Sequence, residues 1–234
     1  MSSATNKQTR PRQQKSKQKN TGNPGISLKE RIYRELKQEI ISAKIPPGAM
    51  ILEGILADRF GVSKTPVREA LGLLQRDGFV ESLHGRGYQI APISLQDVLE
   101  TLELRIVIER GTAELAAKRI SKEELEALRE VVESSSRFES EGDLTAFPRL
   151  NRRFHELIAG AAKNRLLFEA TIQVLDRMER VIHLDVAQVR RPVSTAHQEH
   201  LMLLQYLESG ETVKARECME THVRNAKESI LRAL

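Results

Sequence analysis

Apolar residues in the first part of the chain recur at intervals of three and four, which is the spacing of amphipathic helices. Three helices are predicted, over residues 28–42, 51–60 and 63–78. The first ends at the Pro-Pro-Gly run of residues 46–48, which a helix does not continue. In the third helix a proline falls in the first turn, where its missing N–H costs nothing.

Two short strands are predicted after the third helix. Residues 79–83 and 88–90 have strand-like composition, and His84-Gly85-Arg86-Gly87 between them predicts a tight turn. Two helices joined by a turn that contains glycine, followed by a β-hairpin, form the layout of a winged helix-turn-helix. We therefore predict such a module over residues 26–92.

Beyond Pro92 the pattern is helical to the end of the chain. Six helices with short connections predict a compact antiparallel bundle over residues 93–234. The fold class is therefore mainly α, with an N-terminal winged helix-turn-helix and a C-terminal antiparallel six-helix bundle. The predicted starts of the six helices lie at or just after Ser94, Ser121, Leu144, Asn164, Pro192 and Thr212.

Composition excludes several classes of protein. The chain has 234 residues, of which 40% are hydrophobic and 29% charged, as in ordinary globular proteins. A single cysteine, Cys218, excludes a disulfide framework within the chain and any multi-cysteine zinc module. The apolar runs are far shorter than the roughly 20 residues that span a bilayer. We expect a cytoplasmic protein with no membrane partner.

Positive charge is concentrated at the N-terminus. Residues 1–25 contain six basic residues, no acidic residue and no hydrophobic periodicity, so we predict a disordered basic tail. Residues 26–92 carry a net charge of +2 and residues 93–234 a net charge of −3. A basic front on an acidic back indicates a polyanion partner. A tail that only increases solubility is the alternative interpretation.

The start of the third helix has the residues that DNA reading requires. A recognition helix inserts its first turn into the major groove, so that turn needs small polar and basic side chains. Ser63 and Thr65 supply hydroxyl groups, and Lys64 and Arg68 can reach guanine edges or phosphates. The small, basic hairpin tip around Arg86 suits a wing against the minor groove or the DNA backbone.

The run LADRFGVSKTPVREAL over residues 56–71 resembles the signature of GntR-family bacterial transcription regulators, and Gly85-Arg86-Gly87-Tyr88 resembles their wing. The family usually has arginine where Lys64 stands, and some members carry a basic contact residue in place of Gly54. These departures concern the operator sequence, not DNA binding. A winged helix used for protein contacts, with Arg68 in a surface salt bridge, is the alternative. The resemblance implies DNA contacts by Ser63, Lys64, Thr65, Arg68, Gly85 and Arg86.

The predicted bundle has polar residues where its pattern demands apolar ones. Asn151 and His155 lie four apart on one helix, while His200 and His222 lie in the inward stripes of two others. Three imidazoles and an oxygen donor suit Zn²⁺, Ni²⁺, Mn²⁺ or Fe²⁺ and leave sites open for water or a ligand. Hydrogen-bonded core histidines are the alternative, and His197, one turn before His200, is a rival ligand.

The bundle resembles the FCD effector domain of the FadR subfamily. Asn151-Arg152-Arg153-Phe154-His155 resembles its motif of Asp or Asn followed by Phe-His, and Glu199-His200 and His222 fall in the order of the two later ligands. The resemblance implies a metal held by Asn151, His155, His200 and His222. Many metal-binding members have aspartate where Asn151 stands, and a neutral amide compensates less of the ion's charge.

Arg105 is the predicted effector-binding residue. Leu104-Arg105, with Glu109, resembles the first-helix motif whose arginine meets an acidic effector. Arg105 lies beside an apolar stripe, and a buried guanidinium needs an anion. Glu109, one turn on, offers a purely structural ion pair. The functional alternative is a small organic acid bound between Arg105 and the metal.

These features predict a homodimeric transcription regulator that binds double-stranded DNA at a palindromic operator under the control of an organic acid. Half-sites about one helical turn apart would match two DNA modules. A metal sensor is one alternative. A metal-dependent hydrolase is the other, but no carboxylate base motif accompanies the histidines, and Glu156 is expected to point away from the metal face. We therefore predict that the chain is not an enzyme.

Overall fold

The structure is a computed structural model that describes residues 26–140, 147–185 and 193–232. The predicted basic tail lies outside these ranges, as do the predicted helix starts at Leu144 and Pro192. Within the described ranges, no helix is long and apolar enough to cross a membrane.

The N-terminal module contains three helices and a three-stranded antiparallel sheet in the order β1-β3-β2. The apolar stripe of α1, which includes the fully buried Ile32 and Leu36, packs against the inner face of α3. The elements are α1 (Leu28–Ile41), β1 (Met50–Ile51), α2 (Glu53–Phe60), α3 (Lys64–Arg76), β2 (Val80–Leu83) and β3 (Gly87–Ile90).

The prediction that residue 51 opens the second helix is wrong. Met50 and Ile51 form a third strand, which pairs antiparallel with β3. Gly48 takes a positive φ of 77°, and its N–H donates to the carbonyl of Ile90 over 2.9 Å. This turn returns the chain to β3, so Ile51 is buried by strand pairing and α2 begins two residues later.

Six helices of the described residues form the C-terminal bundle, and α4, α5, α7 and α9 begin where the sequence predicts. Ser94 caps α4, and Ser121 and Glu124 form the predicted capping box of α5, in which each side chain accepts a backbone N–H of the other. The helices are α4 (Leu95–Arg119), α5 (Lys122–Ser140), α6 (Phe147–Ala161), α7 (Arg165–Asp185), α8 (Val193–Glu208) and α9 (Thr212–Leu231).

Helix α4 runs through the middle of the bundle. It pairs along α9 and also packs against α6, α7 and α8. The core between these helices is built from aliphatic residues, with Phe154 fully buried among them. Helix α7 also packs against α1, so one bundle helix contacts the N-terminal module directly.

Candidate functional site

The first turn of α3 presents polar side chains outwards. Helix α2 ends at Gly61, whose left-handed φ of 64° allows the tight turn into α3. Ser63 is the N-cap residue, and Lys64 and Thr65 follow it on the exposed side. Val67 and the later apolar residues of α3 are buried against the module's core, which fixes the outward direction of the polar face.

Arg68 lies on this exposed side and pairs with a glutamate of α2. Its Nε donates to Glu53 Oε1 over 2.9 Å and its Nη2 to Glu53 Oε2 over 2.7 Å. The hydrogen bonds and the charge of Glu53 raise the pKa of Arg68. The Arg68 side chain remains 64% exposed. The surface salt bridge and the accessible guanidinium are therefore present together.

The predicted hairpin tip forms the turn between β2 and β3. Gly85 and Arg86 are exposed, and Arg86 N–H donates to the carbonyl of Leu83 over 2.9 Å. Gly87 has a φ of 101°, and a Cβ there would lie 2.8 Å from the carbonyl oxygen of Ile51. Only glycine fits this close approach of the wing to β1.

Three histidines from three helices meet in the bundle. His155 of α6, His200 of α8 and His222 of α9 are all at least 98% buried. Each offers one ring nitrogen, and these three nitrogens lie within 4.8 Å of one another. The structure therefore brings together side chains that lie far apart in the sequence.

Carboxylates orient two of the three rings. His155 Nδ1 contacts Glu109, and His222 Nδ1 lies 2.7 Å from Glu199 Oε2. A carboxylate accepts a hydrogen bond from Nδ1–H, and in the neutral ring the lone pair then lies on Nε2. The Nε2 atoms of His155 and His222 lie 3.3 Å apart.

The donor set fits a divalent transition metal. Neutral rings that carry their proton on Nδ1 would present both Nε2 lone pairs to a cation placed between them. Two Zn–N bonds of about 2.05 Å at a tetrahedral angle would separate their nitrogens by about 3.3 Å, which is the separation seen here. His200 would complete a set of three imidazoles, a common arrangement for Zn²⁺ and its neighbours in the first transition row.

Arg105 and Glu109 of α4 form a buried ion pair at the edge of the histidine cluster. The guanidinium Nε contacts Glu109, and Nη2 lies 2.9 Å from His155 Nε2. Burial opposes ionisation of Glu109, but the charges of Arg105 and His155 outweigh this effect and lower the pKa of Glu109. The predicted structural ion pair is therefore present, and it also contacts His155.

Two supporting contacts were not predicted from the sequence. Glu199, which the sequence suggested only as a neighbour of His200, contacts His222 and accepts a hydrogen bond from Asn225 over 2.7 Å. Phe154 stacks on His200 with ring centres 3.9 Å apart. No spacing within a single helix links either pair, so no sequence signal identified them.

Four other polar residues lie on the helices that carry the three histidines. Asn151 is half-buried, one turn before His155, and its role as a fourth ligand stays a prediction. His197 is buried on α8 but does not belong to the described group of converging nitrogens. Burial raises the pKa of Cys218 to about 11, so its thiol stays protonated near neutral pH. Glu156 pairs with Arg152 over 2.8 Å.

Comparison with known families assigns both parts of the chain. Residues 28–90 match the model of the bacterial regulatory proteins of the gntR family, and residues 100–225 match that of the FCD domain. The chain is a GntR-family transcription regulator with an FCD domain. The predicted family and fold class are confirmed, and the members of this family are regulators and not enzymes.

Relatives of the regulator extend over most of its length. The uncharacterized HTH-type transcriptional regulator YdhC of Bacillus subtilis is 34% identical over 64% of this chain and 66% of its own. The HTH-type transcriptional repressor RspR of Escherichia coli is 26% identical over 89% of this chain and 91% of its own. The solved structure of E. coli McbR/YncC covers 89% of this chain and 99% of its own, with a TM-score of 0.73 and 22% identity, and so supports the fold alone.

Proposed function

We propose that a small organic acid, bound together with a divalent transition metal at the histidine cluster, controls DNA binding by this regulator. The observation that carries the proposal is the orientation of His155 and His222, whose Nδ1 atoms contact Glu109 and Glu199 while their Nε2 atoms converge. His155, His200 and His222 would hold the ion, with Asn151 as the predicted fourth ligand.

A core of histidines without a metal explains this arrangement less well. The carboxylates at the Nδ1 atoms of His155 and His222 leave the two Nε2 atoms turned towards each other, 3.3 Å apart. Metal binding requires neutral imidazoles, and carboxylates beside Nδ1 are the usual groups that orient such rings as ligands. Zn²⁺, Ni²⁺, Mn²⁺ and Fe²⁺ all accept such a donor set, and the bound ion would supply a positive centre that attracts a carboxylate.

Arg105 would recognise the acid. Its Nη2 atom lies 2.9 Å from His155 Nε2, so a carboxylate bound at the histidine cluster would be within reach of the guanidinium. Guanidinium and carboxylate groups can form two parallel hydrogen bonds, which gives geometric selectivity. The buried setting of Arg105 strengthens such a pair because little water competes for either partner.

The first experiment is to measure the metal content of the full chain, purified without tag or chelator, by mass spectrometry. About one ion per chain is expected, and the double variant His155→Ala/His222→Ala should lose it. His197→Ala is the matched control, because His197 is a buried histidine of α8 outside the cluster. Equal metal in the double variant, or none in the wild type after reloading, contradicts the metal site.

The acid is tested by isothermal titration calorimetry of the metal-loaded protein against a panel of di- and tricarboxylic acids. A binding acid should lose most of its affinity in Arg105→Met, and absence of binding across the panel contradicts the effector proposal. Metal-dependent DNA binding without any acid would favour the metal-sensor alternative. In that case the ion itself is the signal.

The DNA contacts are proposed from exposure and chemistry. The first turn of α3 and the wing tip present hydroxyl, basic and glycine residues outwards, as a major-groove helix and a wing require. Residues 26–92 would act as the DNA-binding domain and residues 93–234 as the effector and dimerisation domain. The proposed contact residues are Ser63, Lys64, Thr65, Arg68, Gly85 and Arg86.

We infer a homodimer from an apolar stripe on the outer face of α4. Leu104 and Val107 are 50% and 66% exposed, and a Cβ added at Gly111 meets no atom within 4 Å. A palindromic operator requires two DNA modules, so a second copy is the proposed occupant. Val107→Glu should shift the molecular mass in sedimentation equilibrium towards the monomer. Leu166→Glu, at an equally exposed site on α7, should not.

A further inference from the structure

Helix α7 joins the bundle to the DNA-binding module through polar contacts. It packs against α1, and Arg180 Nη2 donates to the carbonyl of Ala91 over 2.8 Å. The Arg180 guanidinium also lies 5.4 Å from the ring centre of Phe79, at the start of the hairpin. These contacts hold α7 against the base of the winged helix.

Asp176 lies at the centre of this junction and is shared by the two domains. Its Oδ2 atom lies 2.6 Å from Lys37 Nζ of α1, and its Oδ1 atom accepts a hydrogen bond from Arg152 Nη2 of α6 over 2.7 Å. Asp176 is only 2% exposed. One buried carboxylate is therefore neutralised by one cation from each domain.

On the DNA side, Lys37 is connected to the end of the recognition helix. Its ammonium donates to Tyr33 Oη over 3.1 Å, and Tyr33 donates to Asp77 over 2.6 Å. Asp77 is the C-cap residue of α3. The ammonium also lies 5.2 Å from the centre of the Phe79 ring. A shift of Lys37 would thus act on α1, α3 and the hairpin together.

On the bundle side, Arg152 is connected to the histidine cluster. It lies three residues before His155 on α6, so both side chains move with the same helical turn. Arg152 also donates to Glu179 over 2.7 Å and to Glu156 over 2.8 Å. These three carboxylate–guanidinium contacts, to Asp176, Glu179 and Glu156, leave little freedom for Arg152 to move independently of α6 and α7.

We propose that Asp176 couples the histidine cluster to the orientation of the DNA-binding module. A ligand that shifts α6 at His155 also moves Arg152. The movement of Arg152 changes the ion pair between Asp176 and Lys37, and this changes the position of α1 and α3. Coupling between distant sites requires an element whose position depends on both sites. The Asp176 carboxylate is such an element, because each domain contributes one of its cationic partners. This inference rests on the proposed function, because the signal originates at the proposed metal site.

The test is hydrogen–deuterium exchange of the full chain, read by mass spectrometry, with Zn²⁺ alone as the probe. Without Zn²⁺, Asp176→Asn and Lys37→Met should each raise exchange in the C-terminal half of α1 by about two-fold or more, as expected for contacting residues. Glu169→Gln is the matched control, because it removes an exposed ion pair with Arg165 from the same helix. If Asp176→Asn fails to fold, Lys37→Met removes the same ion pair from the other side and gives the same comparison.

Addition of Zn²⁺ should change α1 exchange in the wild type but not in Asp176→Asn or Lys37→Met, although calorimetry shows Zn²⁺ bound to all three. Equal α1 responses in wild type and variants, or bound Zn²⁺ without any α1 response in the wild type, overturn the coupling role. If the wild type binds no Zn²⁺, the proposed metal site fails instead. The zinc-free comparison with Glu169→Gln then decides whether Asp176 links the domains, and variant exchange equal to that control overturns the link.

Discussion

Two arginine–glutamate pairs in this regulator have the same chemistry and opposite surroundings. Arg68 and Glu53 meet at the surface proposed to face DNA, with side chains 64% and 21% exposed. Arg105 and Glu109 meet inside the bundle, with side chains 6% and 2% exposed. Water competes for the surface pair, so its contribution to stability is small and Glu53 can be exchanged for a phosphate. The buried pair has no such competitor, and it fixes His155.

Burial therefore decides whether an ion pair in this regulator is structural or exchangeable. At the surface, Glu53 pairs with the guanidinium but leaves it accessible for the proposed contact with DNA. In the bundle, Glu109 is shared by Arg105 and His155, so its charge holds together two helices and the proposed ligand set.

Glu109→Gln should give the largest loss of stability. The change removes the carboxylate that neutralises Arg105 and orients His155, and breaking a buried ion pair from one side costs about 3–5 kcal/mol. Urea denaturation followed by circular dichroism measures the free energy of unfolding. Glu114→Gln is the control, because it removes a surface pair with Lys118 from the same helix and should change little. Equal losses of unfolding free energy in both variants would show that burial does not distinguish the Arg105–Glu109 pair from a surface pair.

Arg68→Ala should strongly weaken specific operator binding while leaving the melting temperature unchanged. Loss of one base or phosphate contact by arginine weakens specific binding by about tenfold to a hundredfold. Fluorescence anisotropy on a DNA fragment selected by the wild-type protein measures the effect. Arg76→Ala is the control, since Arg76 lies at the other end of α3 and is also exposed. Unchanged affinity in Arg68→Ala would contradict the placement of this residue on DNA.

Glu199→Gln should weaken Zn²⁺ binding by about tenfold to a hundredfold, the usual effect of losing a carboxylate that orients a histidine ligand. Competition with a fluorescent chelator measures the affinity. Glu208→Gln serves as the control on the same helix, because Glu208 pairs with Arg129 at the surface. A Zn²⁺ affinity that does not respond to Glu199→Gln would show that the contact with His222 has no part in metal binding.

Lys64→Arg should have the smallest effect, a few-fold change in affinity together with a changed base preference at one operator position. Arginine presents a two-pronged donor that matches guanine, whereas lysine presents a single charge. Selection of binding sites from a random DNA library, carried out with both proteins, reveals the preference. Identical selected sequences would mean that residue 64 contacts only the phosphate backbone.

The sequence was sufficient wherever the determinants are local. Caps such as Ser121, the stripe of α3 and the recognition turn are set by residues within a few positions of one another, so the fold class and the family were predicted correctly. Strand β1 was missed because its two residues become a strand only through pairing with β3, nearly forty residues later along the chain.

The sequence by itself therefore determined the helices, the winged module and the residue types of the candidate sites. Only the tertiary structure decided which of these residues meet. The contact between Arg105 and His155 spans 50 positions and that between His222 and Glu199 spans 23, and neither follows from any helical period. Local spacing fixes the face on which a side chain lies. The packing of α4, α6, α8 and α9 fixes its partner, because burial forces each polar group to find one among the residues that packing brings close.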